Sequence, residues 1–184
     1  MAYKTFNKEN QEINLHDLQD KGPWCVVGAS FEETFVLKYP ELNLIINPEK
    51  AQNVYAPDLL NQNTGGLADL KTQNTPFFLS QSKYRINPQY AVTFNRKDYL
   101  RYIEKYPGIE IYFWVDWQAV RFSGSQDISV NPMVGVWRIT YENLLLAVAS
   151  APLHTYVQRY NDNAGNAKDS YVLDLKSKFF EKIS

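Results

Sequence analysis

The sequence predicts one α/β domain, a sandwich around a mixed central sheet, and three observations predict it. Segments with helical apolar spacing alternate with short β-rich runs along the chain, in the order helix, several strands, helix, strand, helix. The run Ile109-Glu110-Ile111-Tyr112-Phe113-Trp114-Val115 is apolar enough to be buried on both faces, as a central strand is. The 184 residues, 45% hydrophobic and 21% charged, suffice for one core, so 1–184 reads as a single domain. Within it, 1–23 form an arm or cap, 28–117 the core, and 118–184 additional strands and helices.

The elements follow in order. The polar N-terminal stretch holds a short possible helix near Leu15-His16-Asp17-Leu18. Ser30-Phe31-Glu32-Glu33 is an S-x-x-E capping box that opens a helix, and Pro40 closes it. Phe31, Phe35, Val36 and Tyr39 form the apolar face of that helix, with Glu32 inside the face and Glu33 outside it. A carboxylate aimed at the core needs a partner, so Glu32 requires a metal, a lysine or a water; the competing expectation is a partly exposed acid favoured by the helix dipole. Leu42 to Ile46 reads as a strand. Val54 to Gln73 reads as two strands joined by the polar turn Asn61-Gln62-Asn63-Thr64-Gly65-Gly66. Residues 74–94 read as a long connection ending in the strand Tyr90 to Phe94. Asn95 caps a helix over Arg96 to Lys105 that Pro107-Gly108 ends. Strands near Ala119 to Phe122 and over Val134 to Ile139 precede a Leu- and Ala-rich helix, Tyr141 to Ser150. A polar loop over 159–168 and a strand over Tyr171 to Leu175 complete the chain.

Composition bounds the chemistry. Net charge is −1, from 19 Lys+Arg against 20 Asp+Glu, which counts mildly against a nucleic-acid binder without excluding one that carries an acidic site. Aromatic residues reach 15%, a surplus that serves the core or stacks on bases. The single cysteine, Cys25, forbids an intrachain disulfide and reads as a buried, inert thiol. The N-terminal residues carry no apolar signal region and no run approaches a membrane span, so a soluble, cytoplasmic protein is expected. The absence of G-x-S-x-G, P-loop and G-x-G-x-x-G patterns disfavours esterase, NTPase and dinucleotide chemistry. His16 and His154 lack ligand-like spacing and read as structural or surface residues.

The 54–73 hairpin carries the chemistry. Asp69 and Lys71 must share a strand face, because strand side chains alternate with a period of two, and the paired strand brings Asp58 alongside. Two carboxylates beside an amine suit a hard cation such as Mg²⁺, which takes oxygen ligands; the Leu70 carbonyl would add a third. Lys71 would orient the attacking water, help deprotonate it or stabilise the charge building on phosphate. The alternative is a solvent-facing strand whose charges aid solubility. Asp174-Leu175-Lys176 repeats the D-L-K pattern on another plausible strand but lacks a preceding Pro-Asp strand.

Glu32 on a helix, Pro57-Asp58, then Asp69-Leu70-Lys71 on the paired strand resembles the PD-(D/E)XK nuclease superfamily. Gly28, four residues before Glu32, and Gln73, two beyond the lysine, fit it as well, and the resemblance covers roughly Gly28 to Trp117. It implies a restriction-endonuclease-like α/β/α sandwich and Mg²⁺-dependent (or Mn²⁺-dependent) cleavage of DNA, as an endonuclease of restriction or phage type. The implied catalytic residues are Asp58, Asp69, Lys71, Glu32 and Gln73. The implied metal ligands are Asp58, Asp69, Glu32 and the Leu70 carbonyl. Asp69 stands where many relatives have Glu, which would draw the metal closer to its strand. Lys97, Arg101 and Lys105 recur every four residues and share a helix face, which would contact DNA phosphates or simply be solvated. Cutting both strands implies a homodimer. The alternative function is a catalytically inactive binding or assembly module on the same fold.

Overall fold

The computed structural model describes residues 3–13, 31–156 and 169–184. Strands β1 (Lys4–Phe6) and β2 (Glu12–Ile13) come first, then helix α1 over 31–38. Next are β3 (Leu44–Ile46), β4 (Leu59–Asn61), β5 (Leu67–Gln73), the short α2 (Ser80–Tyr84), β6 (Ala91–Asn95), α3 (Arg96–Lys105) and β7 (Glu110–Asp116). They are followed by β8 (Arg121–Ser123), β9 (Asp127–Ser129), β10 (Val134–Ile139), α4 (Tyr141–Ser150), β11 (Leu153–His154), β12 (Ser170–Asp174) and β13 (Glu181–Lys182).

The central sheet has six strands in the order β13-β10-β7-β5-β4-β3. The β5–β7 pair is parallel and the remaining pairs are antiparallel, so the sheet is mixed, as expected. Alternation along β7 separates two cores. Tyr112 faces one side, where Phe35 and Tyr39 pack with Leu44, Leu59, Ala68, Leu70 and Val136. Ile111, Phe113 and Val115 face the other, against Tyr102 of α3, Leu144 and Val148 of α4, and Val92, Phe94 and Leu173. Those last three belong to a second sheet, β11-β12-β6, which shares that layer with the helices. The aromatic surplus is therefore spent largely on the core.

Several boundaries differ from expectation for local reasons. Pro40–Leu42 forms a 3₁₀ turn ended by Asn43 in the left-handed conformation, which shortens the expected strand to Leu44–Ile46. Asp58 lies just before β4 instead of on it. The 74–94 connection contains α2, ended by Arg85 at φ 61°. The N-terminal arm is a strand pair, and β1 adds to β8 in a third sheet, β2-β1-β8-β9. Ser30, Cys25, His16, Gly28, the 15–18 helix and the 159–168 loop lie outside the described residues. Among the described residues no helix is long and apolar enough to cross a membrane.

Candidate metal and phosphoryl-transfer site

Turn chemistry sets the hairpin. Asn61 Oδ1 accepts from the backbone N–H of Asn63 (3.0 Å) and Thr64 (3.1 Å), while Gly65 at φ 70° turns the chain without Cβ strain. The resulting register pairs Leu59 with Ala68 and Leu60 with Leu67. Asp58 thereby lies against Leu70, whose N–H donates to Asp58 Oδ2 at 3.1 Å. Asn47, itself buried, fixes the Pro57-Asp58 backbone. Its N–H donates to the Asp58 carbonyl (2.9 Å) and its Nδ2 to the Pro57 carbonyl (2.9 Å).

Two ion clusters meet at this hairpin. In the first, Lys50 bridges Glu32, at 3.0 Å, and Asp58, in a closer contact. Glu32 thus has a lysine as the partner its place on the helix demands. Lys50 sits in the 3₁₀ turn Pro48–Ala51, whose cap is again Asn47, with Oδ1 accepting from Glu49 N–H at 3.1 Å. Burial pulls the Lys50 ammonium down, but Asp58 and then Glu32 outweigh it and the net shift is upward.

In the second cluster Lys71 lies 2.7 Å from Asp69 Oδ2 and 2.8 Å from Asp98 Oδ2. Arg101 reaches Asp98 at 3.0 Å and the Tyr102 hydroxyl at 3.2 Å. Asp98 stands in the first turn of α3, which Asn95 caps by accepting from Lys97 N–H at 2.8 Å. Burial opposes the Lys71 charge, yet the Asp69, Asp98 and Asp58 carboxylates raise its pKa well above the usual lysine value. With its pKa raised, the Lys71 ammonium is suited to stabilising negative charge.

Asp69 is buried, 3% exposed, and burial pushes its carboxyl up to about 6 against the pull of Lys71, with the Asp58 charge adding to the rise. Asp69 Oδ2 is held by the Lys71 ammonium at 2.7 Å. A buried acid whose charge is raised in cost by a second acid is a place where a cation would add to what Lys71 supplies. The donor set is hard oxygen, which fits Mg²⁺ or Mn²⁺. Among the described residues, however, no three His, Cys, Asp or Glu side chains group closely enough to hold a metal. Backbone, water or phosphate oxygens would have to complete the shell.

The other expected residues are placed as follows. Gln73 Nε2 donates to the Thr93 carbonyl (2.7 Å) and its Oε1 accepts from Thr93 N–H (3.2 Å), so its amide ties β5 to β6. Lys97 and Lys105 are exposed, but Arg101 is committed to Asp98 and Tyr102, so the basic stripe is not uniform. Asp174 lies in the second sheet, where its Oδ1 accepts from Lys176 N–H at 2.9 Å, so the second D-L-K ends in a turn. His154 Nδ1 and the Tyr84 hydroxyl share a hydrogen bond of 2.8 Å, and the ring packs on Phe77, a structural setting. Sequence reasoning missed Lys50, Asp98, Tyr102 and Asn47. A first-turn acid after a capping Asn was the available signal for Asp98; nothing local marked the other three.

Comparison of the chain with protein-family models, with curated proteins and with solved structures found no match.

Proposed function

We propose that this chain is a divalent-metal-dependent nuclease that hydrolyses DNA phosphodiester bonds, with a restriction-endonuclease-like core. One observation supports the reading above the rest: Asp58 bonds the backbone of Leu70 between Asp69 and Lys71, so both acids and the lysine converge on one hairpin. In the order α1, β3, β4, β5, α2, β6, α3, β7, strand β7 returns parallel to β5, and the hairpin lies on that mixed sheet.

Asp58, Asp69 and the Leu70 carbonyl would hold the cation, with Glu32 able to join once released from Lys50. The cation's contribution is Lewis-acid activation of water and neutralisation of phosphate charge. Lys71, kept charged by Asp69 and Asp98, would meet a phosphate oxygen and stabilise the negative charge that grows on it. Tyr102, whose burial raises its pKa, stays a neutral phenol that contributes to positioning Lys71. Lys97 and Lys105 would contact the DNA backbone, and two copies would be needed to cut both strands.

The test is nicking of supercoiled DNA with Mg²⁺ or Mn²⁺ by the wild type, Asp69→Asn and Lys71→Met. Loss of an electrostatic stabiliser costs about 10²–10³-fold in rate, so both variants should fall by at least that much. Wild-type rates in both would remove the reading.

A second reading has its own support. Lys50 already neutralises Glu32 and Asp58, and no three-acid group is present among the described residues. Both features suit a binding or assembly module that keeps the fold without the reaction. Such a module takes up no divalent ion, and EDTA leaves its Tm unchanged.

A further inference from the structure

Lys50 stands where a cation serving the acids would stand. It comes from the 3₁₀ turn between β3 and β4, not from the strand pair that carries the motif, and it joins an acid of α1 to the acid preceding β4. Its side chain is about one-quarter exposed, so the lysine is not sealed in the interior. The turn is not loose: Asn47 caps it while holding Pro57 and Asp58, so the lysine and its acid partner share one anchor. Asp69, buried next to this cluster, is answered by Lys71 from its own strand, so Lys50 is the cation on the Asp58 and Glu32 side.

We propose that Lys50 is a resident counter-ion that competes with the divalent cation for Asp58 and Glu32, so that metal uptake requires the lysine to swing out. The inference rests on the nuclease reading's placement of the cation at Asp58. At Asp58 the Lys50 ammonium holds Oδ1 while the Leu70 N–H holds Oδ2, so a cation entering there meets the ammonium at its own ligand atom and is repelled until the lysine leaves. A tethered ammonium is present at high effective concentration and keeps the acids mostly in the lysine-bound form. Apparent metal affinity then falls by the fraction of molecules whose acids are free. The device gives the chain a threshold: the site loads only above a cation concentration set by Lys50. Glu32 changes role with it, from ion-pair partner to metal ligand or to acceptor of a metal-bound water.

Calorimetric titration of MnCl₂ into the full chain tests this with wild type, Lys50→Met, Lys50→Gln and Lys50→Arg, each first checked for folding by circular dichroism. The methionine and glutamine variants should bind Mn²⁺ about tenfold tighter or more, and Lys50→Arg no tighter than wild type. Their Tm without metal should fall, because two acids lose their counter-ion, and Mn²⁺ should raise it by more than in wild type. If Lys50→Met fails to fold, Lys50→Gln, which keeps a polar head, carries the comparison. Equal or weaker Mn²⁺ binding by the folded neutral variants, with wild type still binding, overturns the exchange and leaves the metal site standing. No uptake by any of the four overturns the exchange and the nuclease reading together. Uptake only by the neutral variants supports the exchange, and places the wild-type protein with the binding-module reading.

Discussion

At the scale of single residues the decisive group is Asp69. Its carboxyl is raised to about 6 because burial disfavours the charge and Asp58 repels it, and Lys71 recovers only part of that. A raised acid binds its proton more tightly in the folded than in the unfolded chain. Between about pH 4 and 6 the folded state therefore holds the excess proton, and this group's contribution to stability declines as pH rises through that window. A cation binds only the deprotonated form. Mn²⁺ affinity should thus weaken progressively as pH falls below about 6, so the Mn²⁺-induced rise in Tm should shrink towards pH 5 and level off above pH 7. A shift that is flat from pH 5 to 8 would show that Asp69 is not a ligand. The shared face of Asp69 and Lys71 was legible in the sequence because a period of two assigns strand faces without tertiary information, whereas Asp58, which precedes β4, comes alongside through the pairing of the hairpin. Lys50, Asp98 and Tyr102 were not legible, since each reaches the site from a separate element whose docking no local pattern encodes.

At the scale of elements, two asparagines carry most of the positioning, and they differ in what they hold. Asn95 caps α3 through one bond to the Lys97 N–H, a surface cap whose loss typically costs about 1 kcal/mol. Asn47 is buried; its side chain bonds Glu49 and Pro57, and its backbone bonds Lys50 and Asp58. Replacing it with alanine strands the Pro57 carbonyl in the interior and uncaps the Lys50 turn, at about 2–3 kcal/mol. Urea unfolding of Asn47→Ala and Asn95→Ala should rank them in that order, and Asn47→Ala should also weaken Mn²⁺ binding while Asn95→Ala should not. Equal losses would mean that Asn47 is only a cap. The contrast explains what could be read in advance. The α3 and α4 boundaries followed from a capping Asn95, from Pro107-Gly108 and from apolar spacing, all local signals. The 3₁₀ turns at Pro40 and Pro48, and the short α2, are too brief to produce a periodic pattern.

At the scale of the whole molecule, the three sheets are unequally supported, and that inequality predicts how the protein opens. Strand β7 is central, paired on both edges and covered on both faces, by Tyr112 packed under α1 and by Ile111, Phe113 and Val115 under α3 and α4. The β2-β1-β8-β9 sheet rests on Phe78, Ala119 and Phe122, with partly buried Ile13, Ile128 and Val130 around them. Chain connectivity lets that sheet come apart alone. Strands β8 and β9 lie in the excursion between β7 and β10, and the β7–β10 ladder from Ile111–Ile139 to Asp116–Val134 closes the loop behind them. Loss of the small sheet therefore costs few buried contacts and breaks no pairing of the strands that carry Asp69 and Lys71. Native-state hydrogen exchange should show the Tyr112 and Phe113 amides opening only with global unfolding. The Phe122 amide and those of β1 should exchange through a partial opening at lower free energy and with weaker denaturant dependence. Mn²⁺ should slow exchange in β4 and β5 while leaving the small sheet's rates unchanged, because the cation acts on Asp58 and Asp69 and the small sheet contributes nothing to that site. Equal protection across the three sheets, or a Mn²⁺ effect confined to β1 and β8, would place the stable unit and the cation elsewhere.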